Sequence, residues 1–435
     1  MRVANAVSPK PFVAGPPLAT HDVVRLAILA ASIVSALSSA CTSSTPQPAD
    51  AGPPDCATPA ATWTLTPSFG RVDDVAVTPA GDVAVAALAC GGATCTDSGA
   101  TVALFGTDGA LRWTLSHGTA DWRPTVAAAS DGTIVAGESG GVVVLEPSGT
   151  PRFERRVAGA CAFDVGVDAL GRVYGGGSVH AAADFGTGSA VSGVVLVSYE
   201  RDGRTRWARV VAPGVLGADC SHEETRIATS ADGTTVIALR GVLASFAPDG
   251  TELWRKPFNV QELHALAVDP AGRAIVGGAL AFGSQRDLGT GDLGAPTGYD
   301  GFVAVYERDG TPRWSRRLAG MSFVYVYGVA ADDAGNVYVT GHFGDPTGGT
   351  LDLGGAVLTA TASTNQLFVV SYDSTGTLRW ARGPGDGLIV GRGVAAGLCG
   401  EVVVGGMYAG PGTFLDGSPS PSTTSVGQFV TRFVP

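Results

Sequence analysis

The sequence predicts an all-β chain: a seven-bladed β-propeller of four-stranded blades, closed by an N-terminal strand that pairs into the last blade. Three observations predict it. Gly and Pro account for 63 and 26 of the 435 residues, about one in five against a usual ~12%, which implies many turns. One pattern of short β-branched runs recurs seven times, with roughly 40–65 residues per unit. No convincing amphipathic helical pattern interrupts it.

The first element of each unit ends on a turn glycine. It reads Val75 to Gly81, Val126 to Gly132, Val165 to Gly171, Ile227 to Gly233, Leu266 to Gly272, Val329 to Gly335 and Val394 to Gly400. Each begins with Val, Ile or Leu followed by Ala or Gly, so a small residue marks the strand expected nearest the axis. This is strand A. The β-branched run after the glycine, such as Val337-Tyr338-Val339-Thr340, is strand B. The second recurring element is aromatic, three residues, Gly, three residues, Trp. It appears as Phe105–Gly109–Trp113, Tyr199–Gly203–Trp207, Phe246–Gly250–Trp254, Tyr306–Gly310–Trp314 and Tyr372–Gly376–Trp380, with Leu145–Gly149–Phe153 a weaker copy. It reads as a hairpin of strands C and D around an Asp-Gly-type turn.

The ends complete the count. The seventh unit stops after strand C, Gln428 to Phe433, and Thr62-Trp63-Thr64-Leu65 matches Arg112-Trp113-Thr114-Leu115. The N-terminal strand is therefore expected to supply the missing strand D, leaving no open seam. The propeller is expected over residues 62–435.

The formal net charge is −11, and the only lysines are Lys10 and Lys256. That argues against a nucleic-acid partner, which needs a basic stripe. Residues 1–40 read as an export signal: Arg25 precedes the apolar run Leu26 to Leu37, too short for a bilayer span. Leu37-Ser38-Ser39-Ala40-Cys41 resembles the lipobox of bacterial lipoproteins. The resemblance implies cleavage before Cys41, its lipidation and a membrane partner through the anchor. Loss of residues 1–40 leaves −13. Residues 41–61, with Pro46, Pro48, Pro53, Pro54 and Pro59, read as the lipidated cysteine and an extended tether. The expected address is the bacterial cell envelope, at the outer membrane.

Six cysteines remain, which an oxidising compartment allows to pair. Cys90 and Cys95 flank a short B–C loop. Cys161 and Cys220 precede strand A of adjacent units. Cys56 and Cys399 would staple the closure.

The stretch Gly328 to Gly341, with Phe368 to Arg382 and the linking Gly349-Thr-Leu-Asp-Leu-Gly-Gly355, resembles the SBBP repeat of bacterial seven-bladed propellers. That resemblance implies the fold and no particular activity. The Gly-x-x-x-Trp ending is also similar to that of quinoprotein-like propellers.

The motifs that suggest chemistry fit turns better. Gly137 to Gly141 matches the Gly-x-Ser-x-Gly elbow but falls between two strands rather than before a helix. Gly289 to Gly294 matches Gly-x-Gly-x-x-Gly without a following helix to face a phosphate. Asp131, Asp168, Asp232, Asp269 and Asp332 recur in register as turn-formers. No concentrated residue set supports a quinone cofactor, and no histidine pair has metal spacing. Neither a metal nor another cofactor is expected, and no catalytic residue is assigned.

His117, His222 and His264 are expected in D-to-A connections, which share the face around the channel mouth. Trp122 is the tryptophan out of repeat register. With His222, Glu223, His264 and Tyr325 of the Phe323 to Tyr327 stretch, it forms the expected ligand-binding group. The resulting expectation is a non-enzymatic binding or scaffolding module, its partners envelope proteins or polysaccharide. The alternative is a ligand- or sugar-binding or enzymatic propeller using the same face.

Overall fold

The computed structural model describes residues 61–435 except 89–98, 118–122, 139, 162, 214–224, 321–322, 345–347, 361–364, 384–386 and 422–425. The chain divides into two units, residues 1–52 and 53–435. The expected signal, Cys41 and nearly all of the tether lie outside the described residues.

Seven antiparallel sheets, each built on a four-stranded meander, form the β-propeller. There is no helix among the described residues. Blade 1 runs Arg71–Val77, Val83–Leu88, Ala100–Phe105 and Leu111–His117 as strands A to D. The A strands of blades 2 to 7 are Thr125–Ala128, Asp164–Val167, Arg226–Thr229, Glu262–Val268, Val324–Ala331 and Leu388–Ala396. In blade 7, strands Leu388–Ala396, Val402–Ala409 and Gly427–Phe433 are completed by the N-terminal strand Trp63–Leu65. Trp63 stands opposite Arg432, Thr64 opposite Thr431 and Leu65 opposite Val430. Closure therefore occurs as the sequence predicts.

Further bonds tie blade 7 to blade 1. Gln428 Oε1 accepts from the buried Val72 N–H at 3.0 Å. Arg432 donates to Gly81 O at 2.8 Å and pairs with Glu401 at 2.6 Å, both side chains nearly fully buried. Removing one partner of such a pair strands a buried charge.

The aromatic–Gly–Trp repeat holds neighbouring blades together. The strand D tryptophan of one blade lies on the C–D turn of the next. Trp63, Trp113, Trp207, Trp254 and Trp314 each donate Nε1–H to a carbonyl in that turn, at 2.8–3.3 Å. The turn glycine sits under the ring. At Gly250, φ is +81°, and an added Cβ would stand 2.8 Å from the Trp207 ring. The glycine thus meets two demands, a left-handed backbone and room for the indole. Phe153 plays the ring's part against Gly203 in blade 3.

At the axis the A strands are laced through the residue before each anchor. The Asp74 carboxylate accepts from Val75 N and from Val126 N of blade 2, both at 2.9 Å. Asp164 repeats this with Val165 N and Ile227 N of blade 4. Thr125 donates to Phe163 O, and Arg226 donates to His264 O. In blades 6 and 7 the position is Gly328 and Gly393. A Cβ there would stand 2.8 Å from Arg392 O and 2.9 Å from Asp74 Cα, so backbone packs on backbone.

The B–C loops are structural. In blade 6 the hairpin Gly349–Asp352 and Val357–Ala360 reaches back to pair with strand D of blade 5 and buries Leu351 and Leu353. The Gly289–Gly294 motif lies in the matching loop of blade 5, where Tyr306 Oη–H donates to Leu288 O. The Gly137–Gly141 motif is a tight hairpin: Glu138 ends one strand and Gly141 opens the next. The repeated aspartates build turns. Asp168, Asp269 and Asp332 each accept from backbone N–H groups two and four residues on.

Two predictions follow from these contacts. Gly250→Ala combines a positive-φ cost with a steric cost and should lower unfolding free energy by about 2 kcal/mol or more. Gly410→Ala has similar φ, +72°, with nothing near its Cβ, and should cost about 1 kcal/mol. Paired denaturant titrations check this, and equal losses would remove the indole from the explanation. The second concerns Asp74, whose carboxyl is pushed up to about 7, chiefly by burial and then by the Asp164 charge, against the backbone N–H bonds that lower it. The fold then holds a proton that the unfolded chain releases near pH 4. This group's share of stability falls as pH rises from about 4 to 7. Asp164 is raised for the same first reason and acts in the same sense. Asp74→Asn should flatten the pH 5 to pH 8 decline by up to about 3 kcal/mol, measured by denaturant midpoints at both pH values.

Candidate functional site

All seven A strands line one cavity of about 270 Å³ on the axis. Its chemistry comes from a feature that a strict repeat would lack. In blades 1, 5, 6 and 7, strand A carries a register shift next to the anchor. The shifts fall between Val72 and Asp74, Leu263 and Ala265, Val326 and Gly328, and Gly391 and Gly393. The extra residues are Asp73, His264, Tyr327 and Arg392, and all four line the cavity. A bulge frees one residue from the ladder and re-aims its side chain. Blades 1 to 4 add Asp74, Arg123, Asp164 and Arg226.

These groups are not evenly paired. Asp73 is bound by Arg71, with Nε 2.9 Å from Oδ1, and by Arg392 Nη1 at 3.3 Å. Arg226 donates to the carbonyls of His264 and Thr225 at 2.8 and 3.0 Å. Arg123 has no carboxylate partner among the described residues, and its Nε is buried without a hydrogen bond. Its guanidinium lies over the Tyr327 ring at 4.7 Å, and that of Arg392 lies over the same ring at 5.3 Å. The Arg392 Nε is likewise unpartnered.

The electrostatics follow from this crowding. Arg123 is pushed down to about 9, first by burial and then by the charges of Arg392 and Arg226. Burial also lowers Arg392. His264 is held well below the usual histidine range by burial and the three guanidiniums, and His342 is pushed down to about 4 by burial and Arg392. Both imidazoles are neutral at pH 7. His264 Nε2 lies 2.8 Å from Glu262 Oε2, and its ring lies 4.7 Å from that of Tyr327. The cavity therefore holds three fixed cations, of which only Arg392 meets a carboxylate directly among the described residues. Such an arrangement can hold an anion by charge-assisted hydrogen bonds from a fork of donors.

Of the residues expected from sequence, the structure brings His264 and Tyr325 together, with rings 6.2 Å apart. Trp122, His222 and Glu223 lie outside the described residues. His264 is not in a D-to-A connection: it sits within strand A of blade 5, and His117 ends strand D of blade 1. Strand pairing simply extends further than the apolar pattern suggests, to Ala279 opposite Glu262 and Ala100 opposite His117. Sequence reasoning missed Asp73, Asp74, Arg123, Asp164, Arg226 and Arg392 as site residues. A signal was present. The residues just before the anchors differ among the seven similar units, reading Asp, Thr, Asp, Arg, Ala, Gly and Gly, and the position before those differs in all seven.

Among the expected disulfide cysteines, Cys161 and Cys399 are described: Cys161 lies just before strand A of blade 3 and Cys399 in the A–B turn of blade 7. Cys56, Cys90, Cys95 and Cys220 lie outside the described residues. No three His, Cys, Asp or Glu side chains among the described residues are placed to hold a metal ion.

Comparison with known proteins bears on the fold. The family described as Beta-propeller repeat (SBBP) matches residues 313–342, from strand D of blade 5 through strand B of blade 6. No curated protein matches the chain. A chain in the crystal structure of the mitotic checkpoint complex is 11% identical with a TM-score of 0.50, covering 95% of this chain and 100% of that one. A protein of unknown function from Bacteroides caccae is 14% identical with a TM-score of 0.40, covering 65% of this chain and 89% of that one. The chain is thus a seven-bladed β-propeller with one stretch that matches the SBBP repeat.

Proposed function

We propose that this propeller is a non-enzymatic binding module, tethered at the cell envelope, that seats an anionic group of its ligand in the axial cavity. The observation that carries the reading is Arg123: a guanidinium at a buried cavity, crowded by Arg226 and Arg392, without a carboxylate partner among the described residues. Holding a cation there costs stability, and an incoming anion offsets that cost. Guanidiniums stay protonated near neutral pH and bind rather than transfer protons. Asp74, the carboxyl that titrates near 7, has both oxygens committed to backbone N–H groups that lace the blades.

The test is calorimetric titration of the purified propeller with phosphate, sulfate, citrate and galacturonate. At least one should bind, more weakly as salt rises. Arg123→Gln should lose about tenfold or more in affinity, the scale of one charge-assisted contact, while ligand-free melting temperature holds or rises because a repulsive charge is gone. No binding of any anion, or equal binding by the variant, would overturn the assignment.

The address rests on Cys41. Cys41→Ser should release the protein into the soluble fraction or leave the precursor uncut, and a wild type that takes up no labelled fatty acid would contradict the anchor. In the same oxidising setting, Cys161 is proposed to pair with Cys220, Cys56 with Cys399 and Cys90 with Cys95. Peptide mapping without reductant should recover these three links; six free thiols would exclude them.

A further inference from the structure

Blade 6 carries a feature that propeller packing does not require. Phe323, Tyr325 and Tyr327 alternate at the entry to strand A, so they share one face of it. Their rings run nearly parallel. Phe323 and Tyr325 are 6.4 Å apart at 9°, and Tyr325 and Tyr327 are 5.9 Å apart at 11°. Tyr299 widens the row, 5.8 Å from Phe323 and 5.5 Å from Tyr325. The row is not sealed in the core. Phe323 is 47% exposed, and Tyr299, Tyr325 and Tyr327 are half-buried. The equivalent positions in blade 7 are Leu388, Val390 and Arg392, and in blade 1 they are Phe69, Arg71 and Asp73. No other blade has such a row among the described residues.

One end of the row is the anion seat itself. Tyr327 is the ring beneath Arg123 and Arg392, so the aromatic surface runs from solvent at Phe323 to the guanidiniums at the axis. Along its side lies Glu262, with 28% of its side chain exposed. Aromatic faces suit the C–H faces of pyranose rings, and phenol hydroxyls and a carboxylate suit sugar hydroxyls. At about 3.3 Å per residue the four-residue span from Phe323 to Tyr327 covers about 13 Å, longer than one sugar ring.

We infer that the aromatic row of blade 6 and the arginines of the axial cavity form one composite site for an acidic oligosaccharide. A uronate carboxylate sits at Arg123 and Arg392, and the following sugar rings lie along Tyr325 and Phe323. This rests on the anion-binding reading above and adds the ligand class. Charge complementarity selects the acidic glycan over a neutral one, because the row ends on unpartnered guanidinium nitrogens.

The experiment titrates the propeller with inorganic phosphate, galacturonic acid, trigalacturonate and maltotriose. Trigalacturonate should bind at least tenfold tighter than galacturonic acid, and maltotriose weakly or not at all. Tyr325→Ala and Phe323→Ala should remove most of that chain-length gain while leaving phosphate binding unchanged. Tyr325→Phe keeps the ring and should keep the gain. Phe323 is exposed at the edge of the row, so its variant tests the idea even if Tyr325→Ala fails to fold. Equal affinity for the mono- and trisaccharide, or a gain that survives both alanine variants, overturns the composite site while phosphate binding keeps the anion seat. Maltotriose binding as tightly as trigalacturonate overturns the acidic class. Failure of every anion overturns both readings together.

Discussion

Everything in this protein depends on closing a ring of separate sheets. Each blade alone is a small antiparallel sheet with two bare edges and two apolar faces, and it buries those faces only against its neighbours. A ring of such sheets has one seam, where chain connectivity cannot help. The strand Trp63–Leu65 lies across that seam, pairing with Gly427–Phe433 and sending the Trp63 indole onto the turn of blade 1. Gln428 and the buried Arg432–Glu401 pair reinforce it from the inside. The same indole-on-glycine contact recurs at four other blade boundaries, with Phe153 standing in at the boundary of blades 2 and 3, so the seam is held by the interaction used around most of the ring.

Closure forces seven innermost strands together, and that proximity creates both a problem and a site. Backbones must approach until no side chain fits between some of them, as at Gly328 and Gly393. Elsewhere the contact is made by a short polar side chain reaching the next strand's backbone, as with Asp74 and Asp164. Burial on the axis then raises those carboxyls and lowers the histidines. The acids become less negative while the guanidiniums stay charged. A chain whose formal net charge is −11 thus carries a locally cationic cavity.

The bulges separate scaffold from function. A propeller built of identical units would present the same residue seven times around the axis. Here four strands each insert one residue, and the inserted residues differ: an aspartate, a histidine, a tyrosine and an arginine. The outer strands, which must pack alike against like neighbours, keep their pattern. The inner entrance, where packing makes fewer demands, is where the units diverge, and a site needs such divergence.

By itself the sequence determined the architecture. Strand count, blade count, turn type and closure follow from local rules, because turn glycines, alternating β-branched residues and the tryptophan register each have a short-range cause. It also marked the blade 6 aromatics and His264 as worth pursuing, and it correctly assigned the glycine motifs and repeated aspartates to turns and loops. Only the tertiary structure decided the site. Arg123, Arg226 and Arg392 are scores of residues apart in the chain and meet because the ring brings every strand A to one axis. Arg392 reaches the cavity through a bulge, which inserts a residue without any signature in composition or spacing, while Arg123 and Arg226 come from the entry to strands that carry no register shift. The charge state there is equally a product of folding, since burial and three converging cations set it, and neither exists in the extended chain.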